Sequence, residues 1–157
     1  MSDAQRKPLI IIGADHGGFV MKQSLSSWLK EQEYQVKDCG AFQLAPADDY
    51  PVFAQAVAQE LIACQKQNEP AFGVLLCRSG AGMVMAANRF SAIRAAGVMN
   101  TQQAVHARAH NDANVIVLSG DWMQEHEMKE CILTFLTTPF SAEERHVRRI
   151  AQLDTLI

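Results

Sequence analysis

Uninterrupted apolar runs, helical spacings after each of them and small-residue loops between the two predict an α/β protein. Its expected form is a three-layer α/β/α sandwich on a five-stranded parallel sheet. A run such as Leu9-Ile10-Ile11-Ile12 shows no polar alternation, so both faces of the strand must be covered, as in a parallel sheet flanked by helices. In such sheets the loops leaving the carboxyl ends of the strands share one edge, and ligands bind there.

The elements follow in order. Leu9 to Ile12 opens as a β-branched strand, Gly13 to Gly18 forms a loop, and Met21, Leu25, Trp28 and Leu29 recur at helical spacing. Tyr34 to Asp38 is the second strand, and Cys39 to Asp49 has no clear period. Pro51 fits the first turn of a helix that carries Phe53, Val57, Leu61 and Cys64 and runs to about Gln67. Ala71 to Leu76 is the third strand, and Met83 to Asn88 is helix-like. Ile93 to Val98 is the fourth strand, Thr101 to His110 a helix, Val115 to Leu118 the fifth strand, and Met123 to Leu136 a further helix. Pro139 breaks the chain, and Ser141-x-x-Glu144 is a capping-box pattern opening a last helix through Leu153. The repeated βα alternation makes the fold Rossmann-like, in a single domain over residues 1–157 whose first seven residues are expected to fray.

Composition narrows the function classes. A chain of 157 residues with 48% hydrophobic content can bury a core without staples. A net charge of −3 with 20% charged residues gives no general attraction for nucleic acid or an anionic membrane, so any anion site must be local. Cys39, Cys64, Cys77 and Cys131 form no Cys-x-x-Cys pair, and no signal-peptide or transmembrane stretch is evident. A reduced, cytoplasmic protein is expected.

Chemistry concentrates at the predicted strand exits. Cys77 closes Gly73-Val74-Leu75-Leu76 and opens Arg78-Ser79-Gly80-Ala81-Gly82 ahead of a helix. Unpaired N–H groups there favour a thiolate and can hold a developing oxyanion, whereas the bland reading is a structural Cys under a glycine turn. Asp15-His16 before Gly17-Gly18 can share protons with a polar ligand, or be a turn-forming Asp beside a solvated His. His110-Asn111-Asp112 has a plain reading as a polar helix end. Arg145 and Arg149, four apart, share a helix face and can clamp one phosphate or simply be solvated. Arg94, inside a predicted strand, needs an anionic partner or several acceptors if its guanidinium is buried.

Several familiar sites fail on spacing. A Cys-based phosphatase loop needs Arg six residues after its Cys, where this chain has Met83. Neither a Gly-x-Gly-x-x-Gly fingerprint nor a P-loop occurs, and His106 and His110 lack the intervening Glu of a zinc-protease helix, with Ala107 in its place. No metal and no cofactor are expected.

Taken together, the chain resembles the type B ribose-5-phosphate isomerases, a family that includes the galactose-6-phosphate isomerase subunits. The resemblance rests on Gly13-Ala14-Asp15-His16-Gly17-Gly18-Phe19, Asp49-Tyr50-Pro51, Cys77-x-Ser79-Gly80-x-Gly82, Ala86-Ala87-Asn88, Ile93-Arg94-Ala95-Ala96, His110-Asn111-Asp112-Ala113-Asn114 and Arg145-His146-x-x-Arg149. It implies metal-free aldose–ketose isomerisation of a phosphorylated sugar, in a homodimer or dimer of dimers whose active site borrows residues from both subunits. By that resemblance Cys77 matches the base and Ser79 the hydroxyl that handles protons between the two sugar oxygens. The Gly80 to Gly82 amides match the anion hole. Asp15 and His110 match the ring-opening pair, Tyr50 and Asn111 the residues that align the sugar, and His16, Arg94, Arg145 and Arg149 the phosphate contacts.

Two departures bear on specificity. Arg78 stands where the family commonly has Gly, with three outcomes open: it narrows the pocket, reaches the phosphate or turns to solvent. Glu143-Glu144 replaces a common Gly-Gly, which bears on how Arg145 is presented. Ribose 5-phosphate is the first expected substrate. A six-carbon aldose phosphate such as allose or galactose 6-phosphate is the close variant, and a non-catalytic phosphate-binding subunit is the alternative of another class.

Overall fold

The computed structural model describes residues 7–156. Its elements run β1 (Leu9–Ala14), α1 (Phe19–Glu31), β2 (Val36–Asp38), α2 (Tyr50–Lys66), β3 (Ala71–Cys77), α3 (Ala81–Ala87), β4 (Ala95–Gly97), α4 (Thr101–Asn111), β5 (Val115–Ser119), α5 (Glu125–Thr137) and α6 (Glu144–Leu153). All strand pairs are parallel, in the order β2-β1-β3-β5-β4. The expectation that the first residues fray falls, for residues 1–6, outside the described part. Lys7 itself is tied down, its Nζ donating to the Gln32 carbonyl at 2.7 Å.

Both faces of the sheet are covered, as the unalternated strands require. Ile10, Ile12, Val74, Leu76, Ile116 and Leu118 face α1, α4 and α5, whose Leu25, Leu29, Ala104, Met128, Ile132 and Phe135 complete that core. Ile11, Leu75, Val115 and Val117 face α2 and α3, against Val57, Leu61 and Met83. Burying a Leu or Ile side chain contributes about 1.5–3 kcal/mol, so these two layers hold the strand ends, and hence the loops, in place.

The boundaries that differ from expectation have local causes. Glu33 takes a left-handed turn (φ 62°) and Tyr34 N–H bonds back to the Leu29 carbonyl, so Tyr34 closes α1 and does not open β2. Ile93 is held in a turn by Phe90, and Arg94 N–H donates to the Asn114 side chain, which leaves only Ala95–Gly97 for β4. The fifth helix begins after a capping box formed by Gln124 and Glu127. Ser141 and Glu144 form no such box: the N-cap of α6 is Glu143, and the Ser141 hydroxyl is bonded instead to His146 Nδ1 at 2.7 Å.

One buried cation stitches the site edge together. Lys22 of α1 is shut away from solvent, and its ammonium donates to both Asp38 oxygens and to the Ala41 carbonyl. The Gly40 carbonyl and Ala41 N–H pair in turn with Ala14, the residue before Asp15. Lys22→Met keeps the apolar stem and removes three donors, leaving a buried carbonyl unmet. Urea unfolding is therefore expected to lose about 1–3 kcal/mol of stability, and an unchanged unfolding midpoint would contradict this account.

Candidate active site

The strand order reverses its direction of growth between β1 and β3, since β2 lies outside β1 and the chain then returns to the other side of it. Loops leaving these two strands diverge to opposite faces and open a crevice. Ala14 is in register with Leu76, so the next residues, Asp15 and Cys77, emerge side by side, and Asp15 N–H donates to the Leu76 carbonyl. Both side chains are 5% exposed. The loops that carry them are interlocked with the exit of β5. Gly120 N–H donates to the Cys77 carbonyl, and the Ser119 hydroxyl donates to that of Arg78 at 2.6 Å. A Cβ on Gly120 would lie 2.5 Å from the Gly17 carbonyl oxygen, so only glycine permits this approach.

Around the sulfur, the Gly80 N–H donates to Cys77 Sγ at 3.1 Å, from a residue at φ 84° that glycine adopts without strain. The amides of Met83, Gly80 and Ser79 favour the thiolate, as the loop sequence predicts. Burial opposes them and prevails, with help from the Asp15 charge, so the Cys77 thiol is pushed above its ordinary range. Asp15 is raised too, chiefly by burial, against hydrogen bonding from Gly17 N–H and the nearby His16. An ionised Asp15 thus makes the Cys77 thiolate harder to form. By contrast Cys131, remote on α5, is pushed up to about 11 by burial and neighbouring glutamates.

The expected site residues fall into two groups. Asp15, His16, Tyr50, Cys77, Ser79, Gly80 and Gly82 gather at the carboxyl edge of the sheet. The Tyr50 ring lies so close to Gly82 that a Cβ there would be 2.8 Å from it. His110 and Asn111 stand at the opposite edge, because α4 starts beyond the end of β4 and finishes before the start of β5. Arg145 and Arg149 are exposed on α6, which packs against α4. His110 stacks on the buried His146 (4.4 Å between ring centres), and His106 meets it edge-on at 4.5 Å. Burial and the neighbouring imidazole hold His146 below the usual histidine range.

Arg94 also lies at that far edge and has found its anion within the chain. Its Nε donates to the Asp112 carbonyl and its Nη2 to Asp112 Oδ2. Asp112 closes α4 in a left-handed conformation (φ 45°), so the plain reading of the helix end holds for this residue. Arg78 turns outward: it is 68% exposed and its Nε pairs with Asp121 Oδ2 at 3.0 Å while its stem lies across Gly17. Glu143 holds Arg145 Nε at 2.9 Å, which is how the departure at that helix start presents this arginine.

Sequence reasoning missed Asp48. Its Oδ1 accepts from His16 N–H at 3.0 Å and from His16 Nδ1 at 2.7 Å. Asp15, His16 and Asp48 offer ligand atoms within 4.8 Å of one another, and are the group among the described residues with metal-ligand chemistry. Here His16 Nδ1 is spent on the carboxylate. No periodicity marks residues 39–49, so no signal in the sequence set Asp48 apart from its neighbour Asp49.

A buried thiol and carboxylate stand at the switch point of a five-stranded parallel sheet, with backbone amides on the sulfur, at the edge where α/β proteins of this class bind small ligands. The Ribose/Galactose Isomerase family model matches residues 10–153, and the chain belongs to that family. It is 36% identical over 141 residues to a ribose-5-phosphate isomerase B of Mycobacterium tuberculosis, covering 90% of this chain and 85% of that one. A Thermotoga maritima ribose 5-phosphate isomerase superposes with a TM-score of 0.89 at 38% identity, over 95% of this chain and 99% of that one. Ribose-5-phosphate isomerase B of Mycoplasma genitalium, solved with bound ribulose-5-phosphate, gives a TM-score of 0.86 at 35% identity over 93% of each chain.

The electrostatics predict a reactivity. Alkylation of Cys77 by iodoacetamide, followed peptide by peptide, should accelerate only on the alkaline side of an ordinary thiol, because burial delays ionisation. Asp15→Asn removes a charge that opposes the thiolate, so Cys77 should react faster at any fixed pH below its own pKa. A slower or unchanged rate in that variant would contradict the coupling.

Proposed function

We propose that this chain interconverts an aldose phosphate and its ketose, with ribose 5-phosphate and ribulose 5-phosphate as the first substrate pair. The observation that carries the reading is the Cys77–Asp15 pair at the sheet's switch point in a chain of this family. Bound ribulose-5-phosphate in the Mycoplasma genitalium relative supports the substrate class.

The chemistry follows from the residues. Asp15 handles a proton during opening of the furanose ring, a role its raised pKa suits because a protonated carboxyl can donate. Cys77 as thiolate takes the proton from C2 of the open aldose. The C–H electrons form the C1–C2 double bond, and the carbonyl electrons move onto O1, giving an enediolate. The Gly82 amide serves the developing charge, as does that of Gly80 once it leaves the sulfur it holds here, and Ser79 carries the proton from O2 to O1. Return of the sulfur-bound proton to C1 leaves the ketose, with no net change in oxidation state. Ionising Cys77 is easier while Asp15 holds its proton; once Asp15 has donated it in ring opening, the carboxylate left behind makes the thiolate harder to form and a stronger base when formed.

Two site groups at opposite edges of one sheet cannot meet on one sugar phosphate. We infer that His110, Asn111, Arg145 and Arg149 serve the Cys77 site of a second copy, in a homodimer or a dimer of dimers. Arg94, paired with Asp112, then contributes to phosphate binding from within that cluster. The reading places the protein in the cytoplasm as a soluble sugar-phosphate enzyme without nucleic-acid or membrane partners. No described helix is long and apolar enough to cross a membrane, and the four cysteines are free. The non-catalytic alternative rests on Arg78, which turns outward to pair with Asp121.

Turnover of ribose 5-phosphate, compared with allose and galactose 6-phosphates, tests the substrate. Mixing tests the shared site. Cys77→Ala and His110→Ala chains should each be inactive alone. After unfolding and refolding together, a dimer with sites at both junctions should recover about a quarter of wild-type activity, since one site in four is intact. Absence of recovery in a mixture that forms heterodimers would overturn the shared site, and absence of turnover by the wild type on every sugar phosphate would overturn the function.

A further inference from the structure

Asp48 is an expensive residue for the fold. Its side chain is 12% exposed, Oδ1 accepts both hydrogen bonds from His16, and Oδ2 is buried with no hydrogen-bond partner. A buried carboxylate with an unmet oxygen costs stability that an apolar or smaller residue would not. It also lies beside Asp15, whose ionisation its charge opposes. The hydrogen bonds of this carboxylate go to one residue, so whatever compensates the cost acts through His16.

Its effect on His16 is specific. A carboxylate only accepts, so Nδ1 carries the hydrogen whether the ring is neutral or charged, and Nε2 is left as the nitrogen available to a ligand. The same oxygen also holds the His16 backbone N–H, so main chain and ring are fixed from a single point. A ring held by one edge cannot flip its two nitrogens without losing the bond.

We propose that Asp48 is the positioning residue for His16, holding Nδ1–H and the rotamer so that the ring, in its charged form, presents Nε2–H as a donor to the anionic end of the sugar phosphate. The inference rests on the sugar-phosphate reading above and deepens it. Because a phosphate contact is made equally in ground and transition states, Asp48 governs how tightly substrate is held, and not how fast the C2–H bond breaks.

The test combines kinetics, stability and a spectroscopic readout. Asp48→Ala should raise KM for ribose 5-phosphate about tenfold with kcat within about twofold of wild type. Asp48→Asn, which keeps an acceptor oxygen for Nδ1–H, should recover most of that loss. His16→Ala should raise KM at least as much, and adding Asp48→Ala to it should change nothing further. The thermal midpoint of Asp48→Ala should equal or exceed that of wild type, an outcome a purely structural role would not give. An unchanged KM, a loss confined to kcat, or full additivity with His16→Ala would overturn the proposal. Nitrogen-15 NMR of the ligand-free protein separates this inference from the function it rests on: the His16 ring should carry its hydrogen on Nδ1 in wild type and lose that preference in Asp48→Ala. A wild-type ring protonated only at Nε2 would sink the positioning role even if turnover is normal. The Nδ1–H pattern in an enzyme without turnover would leave Asp48's role standing and remove the substrate.

Discussion

Everything at this site depends on one topological constraint, the reversal of strand order between β1 and β3. A parallel sheet whose neighbouring loops part to opposite faces leaves an uncovered gap at its carboxyl edge. The register sets Asp15 and Cys77 on either side of that gap. The two packed layers on the faces make the placement rigid, because shifting either strand by one residue would turn its core side chains to the wrong face. Glycine at positions 17, 18 and 120 then lets the three loops close over one another at backbone distance.

Within that crevice the competition is between desolvation and backbone dipoles. Amides of the Cys77 loop stabilise a thiolate, burial penalises it more, and a neighbouring carboxylate adds to the penalty. The outcome is a sulfur whose proton affinity is high and whose ionisation is tied to the charge on Asp15. A freely ionised thiolate would be easier to form but a weaker base toward a C–H bond. Lys22, spent on Asp38 and Ala41, pins the turn that pairs with Ala14 and so the strand end from which Asp15 emerges.

How much of this is legible in the sequence follows from which signals are local. Unalternated runs and helical spacings reveal β1, β3, β5 and the long helices because core packing dictates them. Tyr34 misleads because an apolar aromatic serves equally to close a helix, and Ser141 misleads because its hydroxyl had a better partner in His146 than the end of α6. The motifs around Asp15, Cys77, His110 and Arg145 are visible as residues, but their separation to two edges of the sheet is a property of strand order, which no local pattern carries. Arg94 calls for an anionic partner or several acceptors, and Asp112 supplies one within the chain. Asp48, whose importance comes from a contact 32 residues distant, leaves no trace in a stretch without periodicity.

The central claim is that sulfur 77 moves the sugar's carbon-bound proton. Ribulose 5-phosphate incubated with the enzyme in deuterium oxide tests it directly, with proton NMR reading label at the exchanging carbon. The account predicts label incorporation with the wild type, and none with Cys77→Ala despite saturable binding of the same sugar phosphate. Exchange that persists in that variant at a wild-type rate would contradict it.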